Sequence, residues 1–142
     1  MRAVIDTNIL VDFLRSIPQA RAEIALYQSP AISVITWIEI MAGTTAQNEA
    51  ATRAFLESFD ILDIDTKTAE SAATLRKTRR IKLPDAVIWA TAQVEQCLLV
   101  TRNTRDFPSS DPGVRIPYVI GASEPSSSRG TRCLSTSPPP RR

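Results

Sequence analysis

Between Ile81 and Phe107 the chain reads IKLPDAVIWATAQVEQCLLVTRNTRDF, and this stretch limits the fold more than any other. Ala86 to Ala90 is apolar nearly all the way round a helix, so that helix must be covered on every side. Leu83-Pro84-Asp85 opens it: proline suits the first helical position, and an acid in the first turn faces the positive end of the helix dipole. Cys97 to Thr101 then reads as a short buried strand, and Thr101 to Asp106 as the loop leaving its C-terminal end. A continuous apolar strand next to a buried helix belongs to a parallel sheet clothed on both faces. In such sheets ligands bind at the edge where the strands exit.

The same alternation precedes this stretch. Arg2 to Asp6 reads as a strand ending in an acid, and Thr7-Asn8 can cap a helix with Ile9, Leu10, Phe13 and Leu14 on its apolar face. A second helix is expected over Ala20 to Gln28, a strand over Ala31 to Ile35, and a helix from Thr36 that stops at Gly43. Gln47 to Phe59 is amphipathic, Ile61 to Ile64 is a third strand, and Asp65-Thr66 caps a helix to about Thr78. Val114 to Val119 supplies a fifth strand. Strands alternating with helices predict an α/β domain with right-handed crossovers, over residues 1–120. Residues 121–142, rich in Ser, Pro and Arg with almost nothing to bury, are expected to form a disordered tail.

With 142 residues the chain suffices for one domain with a real core. No apolar run approaches the roughly 20 residues of a membrane span, and no signal peptide is expected, so the default location is the cytoplasm. Cys97 and Cys133 are far apart and suggest neither a disulfide framework nor a zinc site. There is no histidine, which excludes Ser-His-Asp and Cys-His catalysis and every imidazole metal site. Up to Ile120 there are 13 Lys+Arg against 14 Asp+Glu, so the overall basic balance comes from the four tail arginines.

The chemistry therefore falls to carboxylates. Asp6 directly follows an apolar strand, where a carboxylate is costly without a partner. Glu39 lies one strand–helix unit later; Thr36-x-x-Glu39 also fits a capping box, which would make it structural. Asp85 could serve the helix dipole alone, but it opens a buried helix and should point to the sheet edge. Asp106 and Asn103 share the loop after the fourth strand, and either could supply a fourth oxygen. Asp63-Ile64-Asp65-Thr66 loosely matches an aspartyl-phosphate signature, yet its mid-chain position favours a strand end followed by a helix cap.

Four acids at neighbouring strand exits make an all-oxygen site suited to Mg²⁺ or Mn²⁺ and to attack of water on a phosphodiester. Without a cation they would repel one another and any polyanion. Arg76, Lys77, Arg79, Arg80 and Lys82, with Arg102 and Arg105 beside Asp106, could hold a phosphate backbone; a merely solvated face is the plainer alternative.

Val4-Ile5-Asp6-Thr7-Asn8-Ile9-Leu10, Thr36-x-x-Glu39, Leu83-Pro84-Asp85 with Ala90-Thr91-Ala92, and Leu99-Val100-Thr101-x-Asn103-x-x-Asp106-Phe107 together resemble the signatures of PIN domains. The size and spacings are similar in particular to VapC-type toxins, and the likeness runs from Met1 to about Val119. It implies a three-layer α/β/α sandwich with a five-stranded parallel sheet and a Mg²⁺- or Mn²⁺-dependent endoribonuclease. It further implies a homodimer held in check by a VapB-type antitoxin. Asp6, Glu39 and Asp85 match the three core acids of the family, and Asp106, assisted by Asn103, is the preferred fourth. An antitoxin would pack on the first three helices, around Ile9, Phe13, Leu26 and Trp37. Two alternatives are a PIN-like fold that only binds RNA or protein, and a receiver-like phosphoacceptor domain. The latter needs an acid pair after the first strand and a late lysine, where Asp6-Thr7 and Thr101-Arg102 stand instead.

Overall fold

The computed structural model describes residues 2–120; the tail expected from residue 121 lies outside the described residues. Five strands, β1 (Ala3–Ile5), β2 (Ala31–Ser33), β3 (Asp60–Leu62), β4 (Leu98–Val100) and β5 (Val114–Arg115), form one sheet in the order β3-β2-β1-β4-β5. Every pairing is parallel. Chain order reverses across β1, whose neighbours β2 and β4 leave the sheet on either side of it. That is the switch point at which a crevice opens in a doubly wound sheet.

The strands are only two or three residues long; the central β1 is buried throughout, while the edge strands β3 and β5 carry exposed residues. Alternate residues divide between two cores. Val4, Ala31, Leu99 and Val114 pack beneath α5 (Thr66–Arg79) and α6 (Leu83–Val94). Ala3, Ile5, Ile32 and Val100 pack on the opposite face, beneath α1 (Thr7–Leu14), α2 (Pro18–Ala25), α3 (Val34–Ala42) and α4 (Glu49–Glu57). The three-layer sandwich anticipated from the sequence is the one observed.

Helix α6 lies between the sheet and α5, and Ala86 to Ala92 are buried without a break. Trp89 meets Phe107 edge to face, ring centroids 5.4 Å apart. Phe107 is fully buried, so the loop from Thr101 to Phe107 is anchored at both ends.

Helix entries differ from expectation in instructive ways. Helix α3 begins at Val34, two residues before Thr36, because Ser33 is both the last residue of β2 and the cap, its Oγ accepting from Ile35 N–H. Thr36 is buried inside the helix, so the proposed capping box with Glu39 does not form. Likewise Asp6, not Thr7 or Asn8, caps α1. Helix α6 starts at Leu83 with Pro84 following, and α2 starts at Pro18. Asp65 caps α5 by accepting from Thr68 N–H at 2.8 Å, so the Asp63-to-Thr66 segment is a strand exit and cap. Three helix ends, at Ser16, Arg80 and Gln96, carry left-handed residues (φ 64°, 55° and 56°) that are not glycine.

Candidate active site

Asp6 stands where β1 ends in the middle of the sheet, and only 3% of its surface is exposed. As the cap of α1 its Oδ1 accepts from Thr7 N–H at 2.7 Å. Its Oδ2 accepts from the Thr101 hydroxyl at 2.6 Å and from Asn8 Nδ2 at 3.1 Å. The same Thr101 oxygen accepts from Asn8 Nδ2 and from Asn103 N–H, so one buried hydroxyl ties the exits of β1 and β4 together. Burial pushes the Asp6 carboxyl up from its ordinary range. The Thr101, Thr7 and Asn8 bonds pull it down, and the charge of Glu39 adds to the rise.

Glu39 reaches this cluster through Thr7, whose Oγ1 lies 2.8 Å from Glu39 Oε1 and 3.1 Å from Thr36 Oγ1. A hydroxyl has one proton, so Thr7 donates to the carboxylate and accepts from Thr36. With no capping box formed, the structural explanation for Glu39 falls away.

Asp85 shows the electrostatic state of the group. Its carboxyl is pushed up to about 6, first by partial burial, then by the charges of Asp6 and Asp106, a hydrogen bond with Asp106, and the charge of Glu39. Asp85 therefore lies within electrostatic reach of the other three acids. In the loop, Asn103 Nδ2 donates to Asp106 Oδ2 at 3.0 Å, while Asn103 Oδ1 accepts from the N–H groups of Arg105 and Asp106. The amide is spent on shaping the turn and holding Asp106, which leaves Asp106 the more available oxygen of the two.

A cavity of about 320 Å³ is lined by Asp6, Glu39, Asp85 and Asn103, with Arg15 at its margin. A second, of about 480 Å³, is lined by Asp106, Lys82, Arg105 and Thr104. They share the wall formed by Asn8, Arg102 and Asn103. Among the described residues no group of three or more His, Cys, Asp or Glu side chains is arranged to hold a metal ion. Both Asp6 oxygens are already engaged by protein donors. The donors are nonetheless all oxygen and mutually repelling, and Mg²⁺ characteristically retains several waters. The set thus fits a hard cation held partly through water, and not one enclosed by four direct ligands.

The basic residues sort into two kinds. Arg102 forms a bidentate pair with buried Asp12 at 2.6 and 3.0 Å, and Tyr118 donates to the same carboxylate at 2.9 Å. Arg76 donates to the carbonyl of Ile81, Arg79 lies 5.0 Å over the Trp89 ring, and Arg80 is the left-handed residue ending α5. Lys77 is exposed, and Lys82 and Arg105 line the second cavity. The sequence reading missed Asp12, although an acid among Ile9, Leu10 and Phe13 on an apolar helix face is itself a signal of a buried pair. It also missed the orienting hydroxyls of Thr7 and Thr101, and Arg15.

The profile of the PIN domain family matches residues 3–110. A chain of a toxin–antitoxin complex from Klebsiella pneumoniae is 42% identical, with a TM-score of 0.79 over 83% of this chain and 99% of that one. FitAcB from Neisseria gonorrhoeae and DNA-bound VapBC from Salmonella typhimurium each superpose with a TM-score of 0.68 at 24% identity. Each covers 81% of this chain, and 97% and 96% respectively of its own, a likeness of fold. No curated protein matches the chain.

Proposed function

The chain belongs to the PIN domain family, and from that premise we propose that it is a metal-dependent endoribonuclease, the toxin of a type II toxin–antitoxin pair. The observation that carries the reading is one cavity lined by Asp6, Glu39 and Asp85, with Asn103 in its wall holding Asp106 through its amide. Asp6, Glu39, Asp85 and Asp106 would hold Mg²⁺ or Mn²⁺, with Asn103 positioning Asp106. When bound, the ion supplies activation of water and charge stabilisation at the phosphodiester. The chain's own part is orientation: Thr101 and Asn8 fix Asp6, Thr7 fixes Glu39, and the Phe107 anchor fixes the loop carrying Asp106.

The partner reading draws on the Klebsiella relative, whose structure is a toxin–antitoxin complex. Leu14, Leu26 and Ile38 are exposed on or at the end of α1, α2 and α3, and an antitoxin helix would pack on them. Ile9, expected to contribute, is fully buried, and Phe13 stacks on Phe55 at 4.6 Å. Among the described residues no helix is long and apolar enough to cross a membrane. Action on RNA in the cytoplasm, as a homodimer, completes the proposal.

The deciding experiment incubates the purified chain and its Asp6→Asn variant with total RNA in Mg²⁺, Mn²⁺ or EDTA and sequences the new 5′ ends. Discrete ends that need the metal and vanish in the variant are expected. Equal cleavage by both proteins, or none by either in both metals, would overturn the reading. Coexpression with the adjacent small reading frame should abolish cleavage.

A further inference from the structure

Three cations around the crevice have no ion-pair partner among the described residues: Arg15, Lys82 and Arg105. Arg15 ends α1 and lines only the acid cavity, whereas Lys82 and Arg105 line only the neighbouring one. The wall of Asn8, Arg102 and Asn103 lies between. Arg102 is the most conspicuous cation at this wall, yet Asp12 neutralises it within a bidentate pair. It divides the cavities and adds little free charge to either.

We propose that Arg15 on one side, and Lys82 with Arg105 on the other, are two phosphate-binding subsites that grip a single RNA strand on both sides of the bond facing the acids. This rests on the nuclease reading and deepens it. An unbroken strand carries a negative charge at every nucleotide, and unpaired cations lining both of two adjoining cavities suit that repeat. The acids that share these cavities would repel the strand where no metal intervenes, so affinity must come from the cations. An acidic protein segment fits less well, because carboxylates laid across the crevice would meet Asp6, Glu39 and Asp85. Such an arrangement would favour attack within a strand, because a terminal nucleotide fills only one of the two subsites.

The position of Arg15 is built into the fold. Ser16 adopts the left-handed conformation, Ile17 N–H bonds the carbonyl of Asp12 at 3.0 Å, and Ser16 N–H bonds that of Phe13. This paired closure ends α1 beside the crevice and leaves the Arg15 side chain exposed at its margin.

The test measures binding of single-stranded RNA oligomers across a salt series, by fluorescence anisotropy in an Asp6→Asn background, with folding checked by circular dichroism. Each lost phosphate contact should reduce the slope of log K against log salt by about 0.7 for a single strand. Arg15→Ala is expected to reduce it by about 0.7, and Lys82→Ala with Arg105→Ala by about 1.4. Oligomers shortened from one end should lose sensitivity to Arg15 alone, and those shortened from the other end to the Lys82 and Arg105 pair alone. An unchanged slope for folded Arg15→Ala, or one truncation erasing both sensitivities, overturns the two-flank arrangement even if the unsubstituted chain cleaves RNA. Slopes that stay fixed while an acidic peptide is displaced by the same substitutions assign these cations to a protein partner and also overturn it. Failure of the unsubstituted chain to cleave, with flank slopes as expected, counts against the nuclease reading alone.

Discussion

Replacing Asp85 with Asn should stabilise the metal-free protein, although it removes an acid from the first turn of a helix. Folding raises the Asp85 carboxyl from about 3.8 to about 6. At 1.36 kcal/mol per pKa unit that shift corresponds to about 3 kcal/mol against the folded state once the group ionises. Asp85 is partly exposed and solvent screens its neighbours, so about half is the better figure, roughly 1.5 kcal/mol. The opposing helix-dipole contribution of a first-turn acid is about 0.3–1 kcal/mol. The penalty, set first by burial and then by the neighbouring charges, exceeds the dipole contribution by roughly 1 kcal/mol, or about 4 °C in a domain of this size. The sign follows from the raised folded value: the wild-type chain is spared the penalty below pH 4, loses stability as pH rises from about 4 to about 6, and levels off above that. Thermal melts in EDTA between pH 4 and 8 should show that decline for the wild type and a flatter profile for Asp85→Asn. Added Mg²⁺ should raise the melting temperature of the wild type more than that of the variant. A variant that melts below the wild type at pH 8 without metal would refute the argument and return Asp85 to a dipole role.

Two further substitutions probe the supports of the site. Thr101→Val removes the hydroxyl that donates to Asp6 and accepts from Asn8 and Asn103. It should cost about 1–3 kcal/mol in urea unfolding and reduce cleavage about 10–100-fold; unaltered cleavage would mean that Asp6 needs no such orientation. Ser16→Gly relieves a left-handed residue at φ 64° and should raise stability by about 0.5–1 kcal/mol in the same assay.

The fold was legible because alternating strand and helix patterns carry topology locally, and the apolar run Ala86 to Ala90 announced the burial of its helix, a burial that continues to Ala92. That Asp6, Glu39 and Asp85 line one cavity was foreshadowed in the same way: Asp6 follows a strand, Asp85 lies in the first turn of α6, and Glu39 lies in the helix that follows β2. What sequence did not reveal depends on partners distant along the chain. Asp12 needs Arg102, 90 residues later, to explain its burial, and the Thr7 hydroxyl needs Glu39. Capping was misplaced at Thr36 because Ser33, read as a strand residue, serves as both strand end and cap. Arg76, Arg79 and Arg102 could not be told from free cations until their contacts with Ile81, Trp89 and Asp12 were known.

The central position of β1 has a consequence for how such a protein comes into being. The first strand synthesised pairs with β4, and Asp6 takes its shortest hydrogen bond from Thr101, 95 residues downstream. At ribosomal rates of about 5–20 residues per second, Asp6 waits roughly 5–20 s before Asp106 has even been added. A nascent chain carries the first acids but no assembled crevice, since neither the orienting hydroxyl nor the anchored loop yet exists. The order of the strands thus acts as a timer, withholding a complete site from the ribosome that is making it.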